Sequence, residues 1–288
     1  MLAAARFISL EDEYAKNIAY LHSQEYESSM KQRMDALVDD RHYVLEVPGP
    51  EEEVIAGVKW GRFDHFFTPA YWFSQVWYQR SSSSSVVYRL GDTLAEEVAA
   101  CLLGGHGLSA EVGLAAFDRL KSRGFLVKAC AQEEICAALM EPLVIRGRPV
   151  RYRFPKQRSQ FVAEALNRLG REAAPLSDDM AFRDWLLTFT GIGPKTASWI
   201  TRNFLDSDNV AILDIHIFRA GLLAGLFRPN QTVEKHYSLL ENRLLDFSQA
   251  LGVRLSVLDT LMWCQMREMG PVALDALRNR GYSLAIAA

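Results

Sequence analysis

The 288-residue chain has no CxxC pair, and its four cysteines, Cys101, Cys130, Cys136 and Cys264, are scattered. That argues against a disulfide scaffold or a thiolate metal site and leaves buried, reduced thiols. The six histidines include no HxxxH or HExxH spacing, so no metal site is predicted. No uninterrupted apolar run approaches the ~20 residues that cross a bilayer. The longest candidate, residues 211–227, is broken by Asp214, His216 and Arg219. The opening Met-Leu-Ala-Ala-Ala-Arg turns acidic by Glu11 and lacks the apolar middle of a signal peptide. A soluble, cytoplasmic protein with no membrane partner is expected.

What is present is an ordinary globular composition, 49% apolar and 23% charged, with enough chain for about two domains. The formal net charge of −3 hides an asymmetry. Residues 1–145 carry 13 Lys+Arg against 21 Asp+Glu, a net of −8, while residues 146–288 carry 19 against 14, a net of +5. A polyanionic partner would therefore meet the second half. In the stretch 146–171, Arg146, Arg148, Arg151, Arg153, Lys156, Arg158, Arg168 and Arg171 stand against Glu164 alone, with Tyr152 and Phe154 interleaved. Such runs are commonly solvated faces. Eight positive charges to one negative, in an acidic protein, point instead to phosphate contact.

The periodicity predicts a mainly helical chain. The first 40 residues read as a long polar helix and His42–Val47 as a short strand. The aromatic stretch 60–79 reads as a core cluster, and Ser81–Ser85 as a mobile loop. Leu94, Val98, Cys101 and Leu102 line one helical face, the glycines at 104, 105 and 107 break it, and a second helix runs from Ser109 through Leu120. Residues 142–154 read as a short β-ribbon or an extended loop. Further helices are expected over roughly 157–170, 178–189, 195–205, 214–227, 232–250, 253–268 and 271–281. The fold class is mainly α in two lobes. Its expected divisions are 1–130, packing with 247–288; 131–246, carrying the central motif; and the C-terminal helices of 247–288.

The informative segment runs Asp184-Trp-Leu-Leu-Thr-Phe-Thr-Gly191-Ile-Gly193-Pro194-Lys195-Thr-Ala-Ser-Trp199. An amphipathic helix ends at a glycine, turns tightly and restarts at a proline, which suits a first helical turn. Two glycines around Ile192 let backbone amides converge beside a helix N-terminus, a place for a phosphate. Gly-x-Gly alone is weak and fits any helical corner. Nineteen residues after Lys195, however, stands Asp214, in Ala-Ile-Leu-Asp-Ile-His-Ile-Phe-Arg. On its own, Asp214 would read as a helix cap.

Together these residues resemble the helix–hairpin–helix–Gly/Pro/Asp superfamily of DNA glycosylases, and within it the 8-oxoguanine branch. The resemblance rests on Gly191, Gly193, Lys195, Asp214 and His216, and covers about residues 150–230; the stretch from Gly104 to Phe117 is similar to bacterial members. It implies a two-lobed helical glycosylase fold with the helix–hairpin–helix over 184–205 and a cleft between the lobes. Two features depart from relatives. Only Cys264 stands where some members carry a four-cysteine iron–sulfur motif, so no cluster is expected. Trp199 replaces a small thiol one turn after the lysine.

The implied activity is excision of a modified base, 8-oxoguanine foremost, from duplex DNA after flipping it into a pocket. Lys195 is the implied nucleophile; a free lysine titrates near ~10.4, so desolvation or a neighbouring cation has to favour its neutral form. Its Schiff base would permit AP-lyase cleavage. Asp214 would stabilise positive charge on the sugar. Gly191, Gly193, His216, Arg153, Lys156 and Arg158 would meet phosphates, while Trp199, Trp263 and Gln265 would form the base pocket. Core packing is the competing account of both tryptophans. The resemblance allows a structural K⁺ or Na⁺ at the hairpin, and no other cofactor. A nucleoid-associated monomer acting on double-stranded DNA is expected. One alternative keeps the chemistry for another base, such as a bulky modified (glucosylated hydroxymethyl) cytosine of phage DNA, in antiviral defence. Another is a helix–hairpin–helix protein that binds DNA without catalysis.

Overall fold

The computed structural model describes residues 31–38, 41–81, 89–105, 107–127 and 130–282. Antiparallel β1 (Gln32–Val38) and β2 (Arg41–Val47) form a hairpin. The expected long N-terminal helix is corrected here: residues 1–30 lie outside the described chain, and 32–38 are extended. Burial alternates over Gln32 to Asp35, the two-residue period of a strand. Short strands β3 (Glu53–Ile55) and β4 (Val58–Lys59) follow, then helix α1 (Pro69–Ser81). Most of the serine tract lies outside the described residues.

Next come α2 (Leu94–Leu103), α3 (Ala110–Ser122) and α4 (Gln132–Met140). Strands β5 (Leu143–Ile145) and β6 (Arg148–Val150) pair antiparallel, the ribbon alternative for 142–154. Seven helices complete the described chain: α5 (Pro155–Leu169), α6 (Asp179–Leu187), α7 (Pro194–Leu205), α8 (Ile215–Leu223), α9 (Val233–Ala250), α10 (Leu255–Glu268) and α11 (Gly270–Asn279). Their starts are chemically marked. Thr93, Ser109, Asp178, Asp214 and Thr232 accept backbone N–H groups at the head of a helix, and α5 and α7 open on proline.

The buried apolar side chains form two clusters. One draws on residues 47–76 and 211–277, with Trp60, Phe67, Tyr71 and Trp72 of the aromatic stretch inside it. The other draws on residues 98–200. The expected division is therefore corrected: α2 and α3 pack with the hairpin-bearing helices, while α8 and the start of α9 pack with the N-terminal aromatics. Helices α3 to α5 share an apolar interior with α2, whereas Ile217, Phe218 and Leu222 of α8 are buried against the first cluster.

Between the cores runs an extended segment, 210–213, whose four side chains are all buried. It has no strand partner, so its backbone groups need side-chain partners. Ala211 N donates to Glu241 Oε1 at 2.9 Å, Ile212 N to Asp259 Oδ2 at 3.2 Å and Leu213 N to the Tyr237 hydroxyl at 3.3 Å. The Tyr237 hydroxyl in turn donates to Ala211 O at 2.7 Å. Both carboxylates carry buried ion pairs to the other core: Glu241 to Arg183 of α6, at 2.6 Å, and Asp259 to Arg202 of α7. Burial raises the Glu241 carboxyl above its ordinary range, and Ala211 N–H and Arg183 oppose that shift. Glu241→Ala strands Arg183 and the Ala211 N–H together, and we expect a loss of about 3–5 kcal/mol in urea unfolding.

Candidate active site

Residues 184–200 form the expected hairpin, α6 and α7 joined by a tight turn. Ile192 is buried in the second core and plugs the turn. Gly191 has φ +86°, and a Cβ there would lie 2.4 Å from the Phe161 ring of α5. Glycine is required on both counts. Gly193, the N-cap of α7, has ordinary φ and ψ of −99° and 177°, and a Cβ there would meet nothing within 4 Å. The turn thus leaves open space in front of the α7 N-terminus.

Asp214 caps α8 and faces a cavity at once. Its Oδ1 accepts His216 N at 2.8 Å and Ile217 N at 3.0 Å. Its Oδ2 accepts the Trp263 indole N–H at 2.9 Å and lies 4.0 Å from Lys195 Nζ. The cavity, about 280 Å³, lies between the two cores. Helix α7 contributes Lys195, Trp199 and Arg202; Ile212, Asp214 and His216 come from the extended segment and its helix; α10 contributes Asp259, Thr260, Trp263 and Arg267.

The structure thus brings together Lys195, Asp214, Trp199, Trp263 and His216. His216, expected on the phosphate backbone, lines the cavity, its ring edge-on to Trp263 with centroids 6.2 Å apart. Burial lowers its pKa below the ordinary imidazole value, opposed by Asp214 and helped by Arg219, Arg267 and Lys195. Gln265, expected in the base pocket, is corrected: its side chain accepts from the Tyr71 hydroxyl at 2.7 Å and donates to Gln75 at 2.9 Å, tying α10 to α1 away from the cavity. The Trp199 indole nitrogen is buried without a hydrogen-bond partner among the described residues, and burial raises the nearby Glu97 carboxyl above its ordinary range. Glu97 accepts the backbone N–H groups of Leu90 at 2.7 Å and Gly91 at 2.9 Å.

The basic stretch is arranged beside the hairpin. Arg158 lies 5.8 Å from the centre of the Phe161 ring that packs under Gly191. Arg153 and Lys156 are exposed at the start of α5. Two of the eight cations are already paired: Arg146 with Glu111, and Arg168 with Glu172. Arg202, Asp259, Thr260 and Arg267 were missed as cavity residues. Arg202 had a readable signal, two helical turns after Lys195 on the same face, and Asp259 had none. Burial pushes Asp259 up to about 6, against the lowering effect of Arg202 beside it.

A helix–hairpin–helix delivering a lysine to a carboxylate at the edge of an aromatic cavity defines the class to which fold and site belong. The sequence profile of the 8-oxoguanine DNA glycosylase family (Ogg-HhH) matches residues 85–253. An 8-oxoguanine DNA glycosylase/AP lyase of Korarchaeum cryptofilum is 30% identical over 186 residues, 61% of this chain and 80% of that protein. One from Saccharolobus islandicus is 28% identical over 143 residues, 46% of this chain and 65% of the relative. Among solved structures, the 8-oxoguanine glycosylase/lyase of Methanocaldococcus jannaschii in complex with DNA containing 8-oxoguanine is 21% identical. That match covers 69% of this chain and 97% of the other, with a TM-score of 0.48. This chain belongs to the 8-oxoguanine DNA glycosylase family.

The hairpin geometry separates its two glycines. Gly191→Ala should cost on the order of 3 kcal/mol in urea unfolding, from a strained φ and the Phe161 clash. Gly193→Ala should stay within about 1 kcal/mol of wild type and instead weaken duplex binding, measured by fluorescence anisotropy.

Proposed function

We propose that this protein flips a damaged base, 8-oxoguanine in the first instance, out of duplex DNA and excises it with Lys195 as nucleophile. The observation that carries the reading is the Lys195 amine, 4.0 Å from Asp214 Oδ2 at the cavity. A merely DNA-holding hairpin has no use for a carboxylate aimed at its lysine beside a cavity of this size.

The flipped base enters between Trp199 and Trp263, whose faces supply stacking surface. The Lys195 side chain is 54% exposed in the unbound protein. DNA covering the cavity takes the amine out of water. The neutral amine attacks C1′; a C–N bond forms to Lys195 as the glycosidic bond breaks, and the base departs with the bonding electrons and takes up a proton. Asp214 Oδ2 stabilises the positive charge that develops on the sugar in a site walled from water. Its Oδ1 is committed to the α8 cap and fixes the orientation of the carboxylate. Ring opening of the sugar and loss of an amine proton leave an imine on Lys195. Removal of a C2′ proton then expels the 3′ phosphate, the AP-lyase step.

Arg267, stacked over Trp263 at 5.2 Å and exposed, adds a cation at the cavity rim. With Arg153, Lys156 and Arg158 and the open amides of the hairpin it gives a phosphate-binding surface. The Thr188 carbonyl at the hairpin entry already accepts Arg168 Nη1 at 3.0 Å. No step depends on a K⁺ or Na⁺ at the hairpin. The protein acts as a monomer on double-stranded DNA.

Borohydride reduction of mixtures with 8-oxoguanine and abasic duplexes tests the lysine chemistry. Both duplexes should yield a covalent adduct with wild type and none with Lys195→Gln, which should still bind duplex within about fivefold. Loss of binding, with residual cleavage unchanged, would remove Lys195 from its role. Asp214→Asn should keep the α8 cap but slow single-turnover base release by about 10²–10³; turnover near wild type would leave Asp214 as a cap alone.

A further inference from the structure

Lys195, Trp199 and Arg202 follow one another at i, i+4 and i+7 on α7, and all three line the cavity. Exposure falls in that order. The Lys195 side chain is 54% exposed, Trp199 is half-buried, and the Arg202 side chain is 7% exposed. With a rise of ~1.5 Å per residue, the Arg202 backbone lies about 10 Å along the helix from that of Lys195. A nucleotide whose C1′ meets Lys195 at the mouth therefore extends its base toward Arg202 at the floor.

Arg202 is held there by Asp259. One guanidinium N–H group donates to Asp259 Oδ1, and Asp259 Oδ2 accepts Ile212 N at 3.2 Å. The Thr260 hydroxyl makes a longer contact to the same carboxylate, at 3.4 Å. Asp259 is thereby committed to the protein. Arg202 is not, because a guanidinium has five N–H donors and its hydrogen bonding among the described residues goes to this one carboxylate. The other guanidinium nitrogens of Arg202 are not cut off from solvent. The side left open to them is the cavity.

We propose that Arg202 reads the extruded base, its remaining N–H groups donating to a carbonyl oxygen on the base edge while Asp259 fixes the guanidinium in place. This deepens the glycosylase reading given above and rests on it. The chemistry selected is a keto-bearing edge, such as the 6-oxo group of a guanine derivative. An exocyclic amine at that position would set donor against donor.

The test separates base excision from cleavage of a site that has no base. Arg202→Lys keeps the charge beside Asp259, and so the fold, but a single ammonium cannot hold Asp259 and reach the base together. Single-turnover excision of 8-oxoguanine should fall about ten- to hundredfold, the worth of a hydrogen bond to a charged group. Cleavage and borohydride trapping on a preformed abasic duplex should stay within about threefold of wild type. The double variant Arg202→Met with Asp259→Asn removes both charges, keeps an acceptor for Ile212 N, and should show the same split. Equal losses on the two substrates, or undiminished excision in either variant, would overturn the assignment of Arg202. Failure of wild type to be trapped on abasic DNA would instead overturn the Lys195 reading, so the two failures are distinguishable.

Discussion

Four buried residues, 210–213, lie in the connection from α7 to α8 without a strand on either side, and side chains of α9 and α10 satisfy three of their backbone amides. An unpaired amide in a core costs free energy comparable to a lost hydrogen bond, and here Glu241, Asp259 and Tyr237 supply the partners. Burying carboxylates for that purpose creates a second debt, met by Arg183 and Arg202 from the opposite core. The two ion pairs therefore compensate the buried carboxylates, while it is the oxygens of those groups, accepting the backbone amides, that hold the segment ending in Asp214. A buried pair contributes little net stability against an apolar substitute, but breaking one is expensive. That asymmetry suits a joint whose geometry has to be reproducible.

The same joint sets the chemistry. Asp214 comes directly after the clamped segment, with one oxygen spent on the α8 cap and the other left for Lys195 and the Trp263 indole. A carboxylate tethered from both sides cannot swing away, so its charge is already in place when positive charge develops on the sugar. Around it, α7 grades from an exposed amine through a half-buried indole to a buried guanidinium, a sequence of environments that suits a sugar, a ring face and a ring edge in turn.

Outside the cavity the requirements are looser. The hairpin needs Gly191 because Phe161 lies where a side chain would stand, and it keeps Gly193 bare with open space in front. The cations at the start of α5 lie beside it, linked through the contact of Arg158 with Phe161. Phosphate contact tolerates such exposed, long side chains, since the attraction is long-ranged and carries no base identity.

What could be read from the chain alone was what local rules govern. Most helices after Asp92 follow from apolar periodicity and marked N-termini, although α4, without a side-chain cap at Ala131, is absent from that reading. The hairpin follows from Gly191, Gly193 and Pro194, and the Lys195–Asp214 pair from its spacing; Trp199 and Arg202 lie on the lysine's face by helical geometry, although only Trp199 was singled out. The rest depended on packing between positions far apart in the chain. Gln265 and Trp263 are two residues apart on α10, and a helix turns them to different faces, so one meets Tyr71 and the other Asp214. His216 went to the cavity because the α8 cap and Trp263 place it there, which no spacing announced. The strand at 32–38 forms only against its partner at 41–47, and the two cores interleave distant segments. Asp259 acquired its role from a backbone amide 47 residues earlier in the chain. Short-range periodicity and caps are properties of sequence; which buried charge faces which orphaned amide is decided only when the two cores close on each other.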